Sequence, residues 1–202
     1  MSMASPCLLS AKQLSCQRGG RSLFEEFSLQ LNAGDIVWLQ GSNGSGKTTL
    51  LRTLAGLRPA ERGGVQHAAA LRFIGHNNGL KPDLTVLEGL RFQARWQGLA
   101  DDEASLLQAL KHFGLAPMRS RRSAQLSQGQ QRRAALASLA LPQAGACWLL
   151  DEPFDALDDD SVQQLCALLS SHAAAGGAVL FTSHQHLPGL ASRQLPLSGG
   201  RP

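Results

Sequence analysis

Residues 36–49, IVWLQGSNGSGKTT, decide the fold. Residues 36–39 are an apolar run of strand length. The run empties into a turn holding Gly41, Gly44 and Gly46, with Ser42, Asn43 and Ser45 between them, and ends on Lys47, Thr48 and Thr49. Leu50 and Leu51 then open a helical pattern. Strand, glycine loop and helix are the setting in which G-x-x-x-x-G-K-T cradles phosphate. Glycines let the backbone curl so that successive N–H groups face one anion. The helix start adds the positive end of its dipole. Lys47 supplies a point charge for β- and γ-phosphates, and the Thr48 hydroxyl can ligate Mg²⁺. A nucleoside triphosphate held on 41–49 is the expectation.

The rest of the composition is that of an ordinary globular chain. Its 202 residues suit one domain, or one domain with a small satellite, with 43% apolar and 17% charged residues. The net charge of +4 is mild. Arginines gather at Arg119, Arg121, Arg122 and at Arg132, Arg133, without the interleaved aromatics of a nucleic-acid stripe, so no nucleic-acid partner is expected. Cys7, Cys16, Cys147 and Cys166 show neither C-x-x-C pairing nor zinc spacing, which fits a reduced, cytosolic setting. Residues 1–14 lack the basic and apolar regions of a secretory signal. No apolar stretch reaches 18 residues, so no membrane span is expected.

Strand-like alternation over 8–33, with a turn at Gly19-Gly20, predicts antiparallel strands leading into the 36–39 strand. The helix after the loop should end near Gly56, before Pro59. Residues 60–75 read as a loop around Gly63-Gly64 followed by a strand over 70–74. Thr85 and Glu88 form a capping box, predicting a helix to about residue 97. A second helix is expected over 102–113, a basic loop over 115–125, and a third helix over 126–141 capped at Ser127. Residues 146–150 read as a buried strand ending in Asp151 and Glu152. Asp160 or Ser161 should cap the next helix, closed by Gly176-Gly177 before a strand over 178–182. The tail gives only a weak strand signal. Alternating strands and helices predict an α/β fold with a largely parallel sheet.

Two acids at the end of an apolar strand stand where an open α/β sheet places its ligands. Behind a phosphate loop, Asp151 is suited to hold Mg²⁺, directly or through water. Glu152 is suited to orient or deprotonate the water that attacks the γ-phosphate.

Leu126-Ser127-Gln128-Gly129-Gln130 resembles the LSGGQ signature of ABC-type ATPases, with Gln128 where the first glycine usually stands. GSNGSGKT, CWLLDEP, Asp155-Ala156-Leu157-Asp158 and Ser183-His184 complete the ABC order, and the resemblance covers essentially the whole chain. It implies a P-loop NTPase (RecA-like) core, an antiparallel β subdomain and an α-helical signature subdomain, about 85–140, inserted in that core. It further implies ATP and Mg²⁺, separate integral-membrane transporter subunits, and a head-to-tail dimer in which one signature completes the partner's ATP site. In that frame Ser127 offers a hydroxyl and free N–H groups to a γ-phosphate. His184 resembles the switch histidine, a catalytic contact with the γ-phosphate, and Asp158 the D-loop acid linking the two sites.

The chain departs from the family pattern twice. The aromatic that usually stacks on adenine should fall near Arg18, whose guanidinium can stack on the base instead. His76, by its spacing to Pro82, occupies the place of the glutamine that senses Mg²⁺ and the membrane partner. The phrase Phe73-Ile74-Gly75-His76, with Gly79-Leu80-Lys81, Leu84-Thr85, Gln130-Gln131-Arg132-Arg133 and Thr182-Ser183-His184-Gln185, is similar to the ATP-binding subunits of the haem exporters of cytochrome c maturation. That resemblance implies a peripheral protein on the cytoplasmic face of the bacterial inner membrane, powering haem export or haem release from its chaperone. No haem site is visible; His76, His184 and His186 are better explained by ATP coupling or surface position. The alternatives are another ABC exporter's ATPase, a soluble ABC protein, or a non-catalytic nucleotide-binding regulator. Residues 76–98 are the expected docking surface; Arg91 and Arg95 face the membrane partner or are simply a solvated face.

Overall fold

The structure is a computed structural model, and it describes residues 5–19, 21–185, 187 and 189–197. In chain order the elements are β1 (Cys7–Arg18), β2 (Arg21–Asn32), β3 (Ile36–Gln40), α1 (Lys47–Leu54), β4 (Arg62–His67), β5 (Leu71–Ile74), α2 (Val86–Trp96), α3 (Glu103–His112), α4 (Gln128–Leu136), β6 (Cys147–Leu150), α5 (Asp159–Ala174), β7 (Ala178–Thr182) and β8 (Arg193–Pro196). The chain divides into two compact units, Met1–Phe73 with Ala144–Glu152 and Leu169–Pro202, and Ile74–Gln143 with Pro153–Leu168.

The first unit holds two sheets. An antiparallel sheet runs β2-β1-β4, and a five-stranded sheet runs β5-β6-β7-β3-β8. In the latter, β3 pairs in parallel with β7 and β8, and β6 in parallel with β7. Every residue of β6 and β7 is buried, as expected of parallel strands covered on both faces. Their sequences, CWLL and AVLFT, are accordingly continuous apolar runs rather than alternating ones. β1 instead alternates, burying Leu9, Ala11, Leu14 and Cys16. Leu9, Leu31, Leu39, Leu50, Leu51 and Leu54 are fully buried in one cluster that roots the phosphate loop. The fold is α/β, with a parallel core, an antiparallel sheet and a helical portion.

The second unit is helical. Thr85 caps α2 with the expected box: its hydroxyl accepts from the Glu88 N–H at 3.2 Å, and the Glu88 carboxylate accepts from the Thr85 N–H at 2.9 Å. Asp102 caps α3 through the Ser105 N–H at 2.9 Å. Val86, Leu90 and Ala94 of α2 and Leu106, Ala109 and Leu110 of α3 are buried, the i, i+3, i+4 stripe of packed helices.

Three elements differ from the sequence reading. Residues 62–67 are not loop but β4, antiparallel to β1. Gly63 sits at φ 82° against the carbonyls of Lys12 and Gln13, an approach that any Cβ would block. The 126–141 helix is shorter: α4 ends at Leu136 and Ala137–Ala140 tighten into a 3₁₀ turn. The α5 cap is Asp158, which accepts from the Ser161 N–H at 2.9 Å, rather than Asp160 or Ser161. The weak strand signal of the tail, by contrast, is borne out by β8, paired to β3.

Candidate functional site

The phosphate loop forms as β3 ends and α1 begins. Gly44 and Gly46 adopt φ 79° and 98°, conformations costly for any residue with a Cβ. A Cβ at Gly41 would stand 2.6 Å from Ser45 Oγ and 3.3 Å from the Leu197 carbonyl, so the Ser45 hydroxyl would have to turn away. Lys47 is buried, and its ammonium donates to the carbonyls of Gly41 at 2.7 Å and Ser42 at 3.2 Å. The loop is thus curled around its own cation. Thr49 is buried in α1, and Ser42, Asn43 and Thr48 line the exposed side of the loop.

At the end of β6 the two acids take different roles. Asp151 is 1% exposed, and its Oδ1 accepts from Thr48 Oγ1 at 3.2 Å and from Thr182 Oγ1 at 3.1 Å. Thr48 and Asp151 therefore set two hard oxygen donors side by side, the ligand type that Mg²⁺ takes. Glu152 stands at φ 50°, a left-handed backbone that few non-glycine residues adopt. Its N–H donates to Thr182 Oγ1 at 2.8 Å. Its carboxylate accepts from the His184 N–H at 3.1 Å and lies 3.4 Å from His184 Nε2. Thr48, Asp151, Glu152 and His184 thus meet at one end of the parallel sheet.

The signature residues belong to the helical unit. Ser127 caps α4, its hydroxyl accepting from the Gln130 N–H while the Gln130 side chain accepts from the Ser127 N–H at 3.0 Å. Leu126 is buried, and Ser127 and Gln128 are exposed at the helix start. A Cβ on Gly129 would stand 2.8 Å from the Ala156 carbonyl, so this glycine is required by its own chain's packing. His76 Nδ1 lies 3.5 Å from Asp155 Oδ2 in an exposed pair. Asp158 is an α5 cap, and hydrogen bonds from Ser161 hold its carboxyl below the usual range. Arg18 is exposed at the end of β1. His186 lies outside the described residues.

Two further residues, named in the sequence reading only within longer phrases and given no role there, organise the site residues of their own units: Arg132 in the helical unit and Thr182 in the first. Arg132, 3% exposed, donates to the carbonyls of Gly75 at 3.0 Å and Pro153 at 3.3 Å and to Asn78 Oδ1 at 3.1 Å. It ties the 75–78 segment to the α4 helix that Ser127 caps. Thr182 touches both acids. Both stood in the phrases Gln130-Gln131-Arg132-Arg133 and Thr182-Ser183-His184-Gln185 that carry the resemblance; beyond that, Arg132 offered an arginine on the apolar side of a helix and Thr182 a hydroxyl ending an apolar strand. Elsewhere on α2, Phe92 and Trp96 are 51% and 82% exposed, one helical turn apart.

Residues 24–155 match the ABC transporter family. The cytochrome c biogenesis ATP-binding export protein CcmA of Alkalilimnicola ehrlichii is 44% identical over 197 residues, covering 92% of this chain and 83% of that protein. Its namesake in Haemophilus influenzae is 43% identical over 202 residues, covering 94% and 95%. Among solved structures, a dimeric post-hydrolysis state of the ATP-binding cassette MJ0796 bound to ADP and phosphate superposes with a TM-score of 0.77 at 24% identity, covering 88% of both chains; at that identity it speaks for the fold alone. With its phosphate loop, paired acids and signature helix in one continuous match, the chain belongs to the ABC transporter family, within its group of cytochrome c biogenesis ATP-binding export proteins.

Proposed function

We propose that this chain is the ATP-hydrolysing subunit of an export complex for c-type cytochrome biogenesis, with Glu152 as the group that orients or deprotonates the attacking water. The convergence of Thr48, Asp151, Glu152 and His184 carries the reading. ABC ATP-binding domains bind and hydrolyse ATP. Here residues 41–49 hold the phosphates, and His184 places both its N–H and its ring against the Glu152 carboxylate, fixing the base. Thr48 and Asp151 are the residues that would hold Mg²⁺, which when bound neutralises charge on the β- and γ-phosphates. Arg18 is the candidate for stacking on the base.

ABC ATP-binding subunits dimerise and work with membrane subunits. For this chain the pairing is head to tail, with Leu126, Ser127, Gln128, Gly129 and Gln130 of one copy facing the ATP of the other. The exposed Ser127 hydroxyl at the start of α4 supports that assignment, because a helix N-terminus is a ready anion site. The helical unit serves as the signature subdomain, with His76 at the coupling position and Asp158 in the linking loop. No helix among the described residues is long and apolar enough to cross a membrane. Attachment to the cytoplasmic face of the inner membrane then runs through separate integral-membrane subunits, with the exposed Phe92 and Trp96 of α2 as the docking face. Haem, moved outward or released from its chaperone, is the cargo this reading assigns to the complex.

The test is Glu152→Gln. The variant keeps ATP binding and traps a dimer while turnover falls at least about 100-fold. Hydrolysis within about threefold of the unmodified protein would remove Glu152 as the base.

A further inference from the structure

Thr182 is the last residue of β7 and is 0% exposed. A threonine there is an anomaly, because the four residues before it, Ala178, Val179, Leu180 and Phe181, are all apolar and buried. Its hydroxyl has one hydrogen to give and lone pairs to receive with. Both capacities are directed at the paired acids: Oγ1 accepts the Glu152 N–H at 2.8 Å and donates to Asp151 Oδ1 at 3.1 Å. Glu152 meanwhile holds a left-handed backbone at φ 50°. A non-glycine residue stays in that region only when its surroundings fix it there.

We propose that Thr182 is a positioning residue: one buried hydroxyl locks the strained Glu152 peptide and, through the same oxygen, orients the Asp151 carboxylate that faces Thr48. The inference rests on the assignment of Asp151 and Glu152 made above and adds the element that sets their geometry. The backbone turn at Glu152 decides where its carboxylate points, toward the His184 N–H and ring. Rotation of that peptide carries the base away from His184. At the same time Asp151 loses one of the two hydroxyls that orient its Oδ1. A methyl group in place of the hydroxyl fills the same volume and does neither task.

Two substitutions separate the hydroxyl from the shape. Thr182→Val keeps the branched side chain and removes the hydroxyl; Thr182→Ser keeps the hydroxyl and removes the methyl. The first readout needs neither nucleotide nor metal: hydrogen exchange of the Glu152 amide, followed by NMR in the nitrogen-labelled protein. Thr182→Val is expected to speed that exchange at least about tenfold, and Thr182→Ser to leave it within about threefold. The second readout is ATP turnover. Thr182→Val should lower kcat at least about tenfold with KM for ATP within about threefold, because Lys47 and the loop are untouched; Thr182→Ser should retain kcat within about threefold.

Normal turnover and an unchanged Glu152 amide in Thr182→Val overturn the proposal. If the valine chain does not fold, Thr182→Ser decides alone: loss of Glu152 protection despite the retained hydroxyl overturns it, and retention upholds it. Glu152→Gln, run alongside, isolates the underlying assignment. Full turnover in Glu152→Gln sinks the reading of the base itself. An inactive Glu152→Gln beside a fully active Thr182→Val sinks only the role of Thr182.

Discussion

Gly177 lies between α5 and β7, and replacing it with alanine tests a buried stack that no motif marks. The His172 ring lies on Trp148 with centroids 3.6 Å apart and planes 6° apart. Its Nε2 is 2.8 Å from the Ala146 carbonyl, and Arg72, 2% exposed, sits over Trp148 at 5.9 Å. A Cβ on Gly177 would fall on three atoms of that imidazole. Nor can the backbone step aside, since the Gly177 N–H donates to the His172 carbonyl at 3.0 Å and its carbonyl accepts from Gly34 at 2.8 Å. The ring must therefore leave its place. Loss of the ring's hydrogen bond costs about 0.5–1.5 kcal/mol. Loss of the stacked pair costs a similar ~0.5–1.5 kcal/mol. Overpacking adds about 1–3 kcal/mol, partly offset by the ~0.4–1 kcal/mol that alanine gives by restricting the unfolded chain. A net destabilisation of about 3 kcal/mol lowers Tm by roughly 6–12 °C in a chain of this size.

The assay is thermal unfolding followed by circular dichroism, with Gly89→Ala as the control. Gly89 has nothing within 4 Å of an added Cβ and lies inside α2, so alanine there should stabilise by about 0.5–1 kcal/mol. His172→Ala removes the obstructing ring, so adding Gly177→Ala to it should cost little more. A Tm for Gly177→Ala within about 2 °C of the unmodified protein refutes the reasoning. Strictly additive losses in the double variant refute the assigned cause.

The same imidazole makes stability depend on pH. Burial, with the Arg72 charge beside it, holds His172 below the ordinary histidine range. The unfolded chain then binds more protons, so the stability contributed by neutral His172 is complete above about pH 6.5 and is lost as pH falls through the lower folded value. Melting between pH 7.5 and 5 should show this loss, and His172→Phe, which keeps a ring but cannot titrate, should flatten it; an unchanged slope removes His172 as the source. Ser127→Arg should leave nucleotide binding by a single copy intact while lowering hydrolysis at least about tenfold, because the arginine stands where the other copy's γ-phosphate is proposed to lie. Full activity in that variant discards the head-to-tail arrangement.

What could be read from the sequence was whatever depends on neighbours in the chain. The strand, loop and helix around 36–49 were legible because glycine, lysine and a change of hydrophobic period all act locally. The caps at Thr85 and Ser127 were legible because a box closes within three residues. β4 was not, because Arg62–His67 is an exposed strand with two glycines whose pairing is supplied by β1. The α5 cap was misplaced because Asp158, Asp159, Asp160 and Ser161 are all competent capping residues and only the backbone chooses among them. At the site, the residue types of Asp151, Glu152 and Lys47 were enough to mark them as candidates, and the structure sets Asp151 beside Thr48 and curls the loop around Lys47. Those of Thr182 and Arg132 were not enough, since each acts on residues 21 or more positions away.

The three tryptophans occupy three optical environments. Trp148 is 2% exposed beneath the His172 ring, Trp38 is half-buried with its indole N–H on the Ser183 carbonyl at 3.2 Å, and Trp96 is 82% exposed. An indole in water emits at longer wavelength than one in an apolar setting, so the red edge of the native emission belongs to Trp96 and the blue edge to the sheet. The protein therefore carries its own two-colour reporter. Docking of a partner on α2 should shift the red edge alone, whereas loosening of the nucleotide-binding sheet should move the blue edge and leave Trp96 as it was.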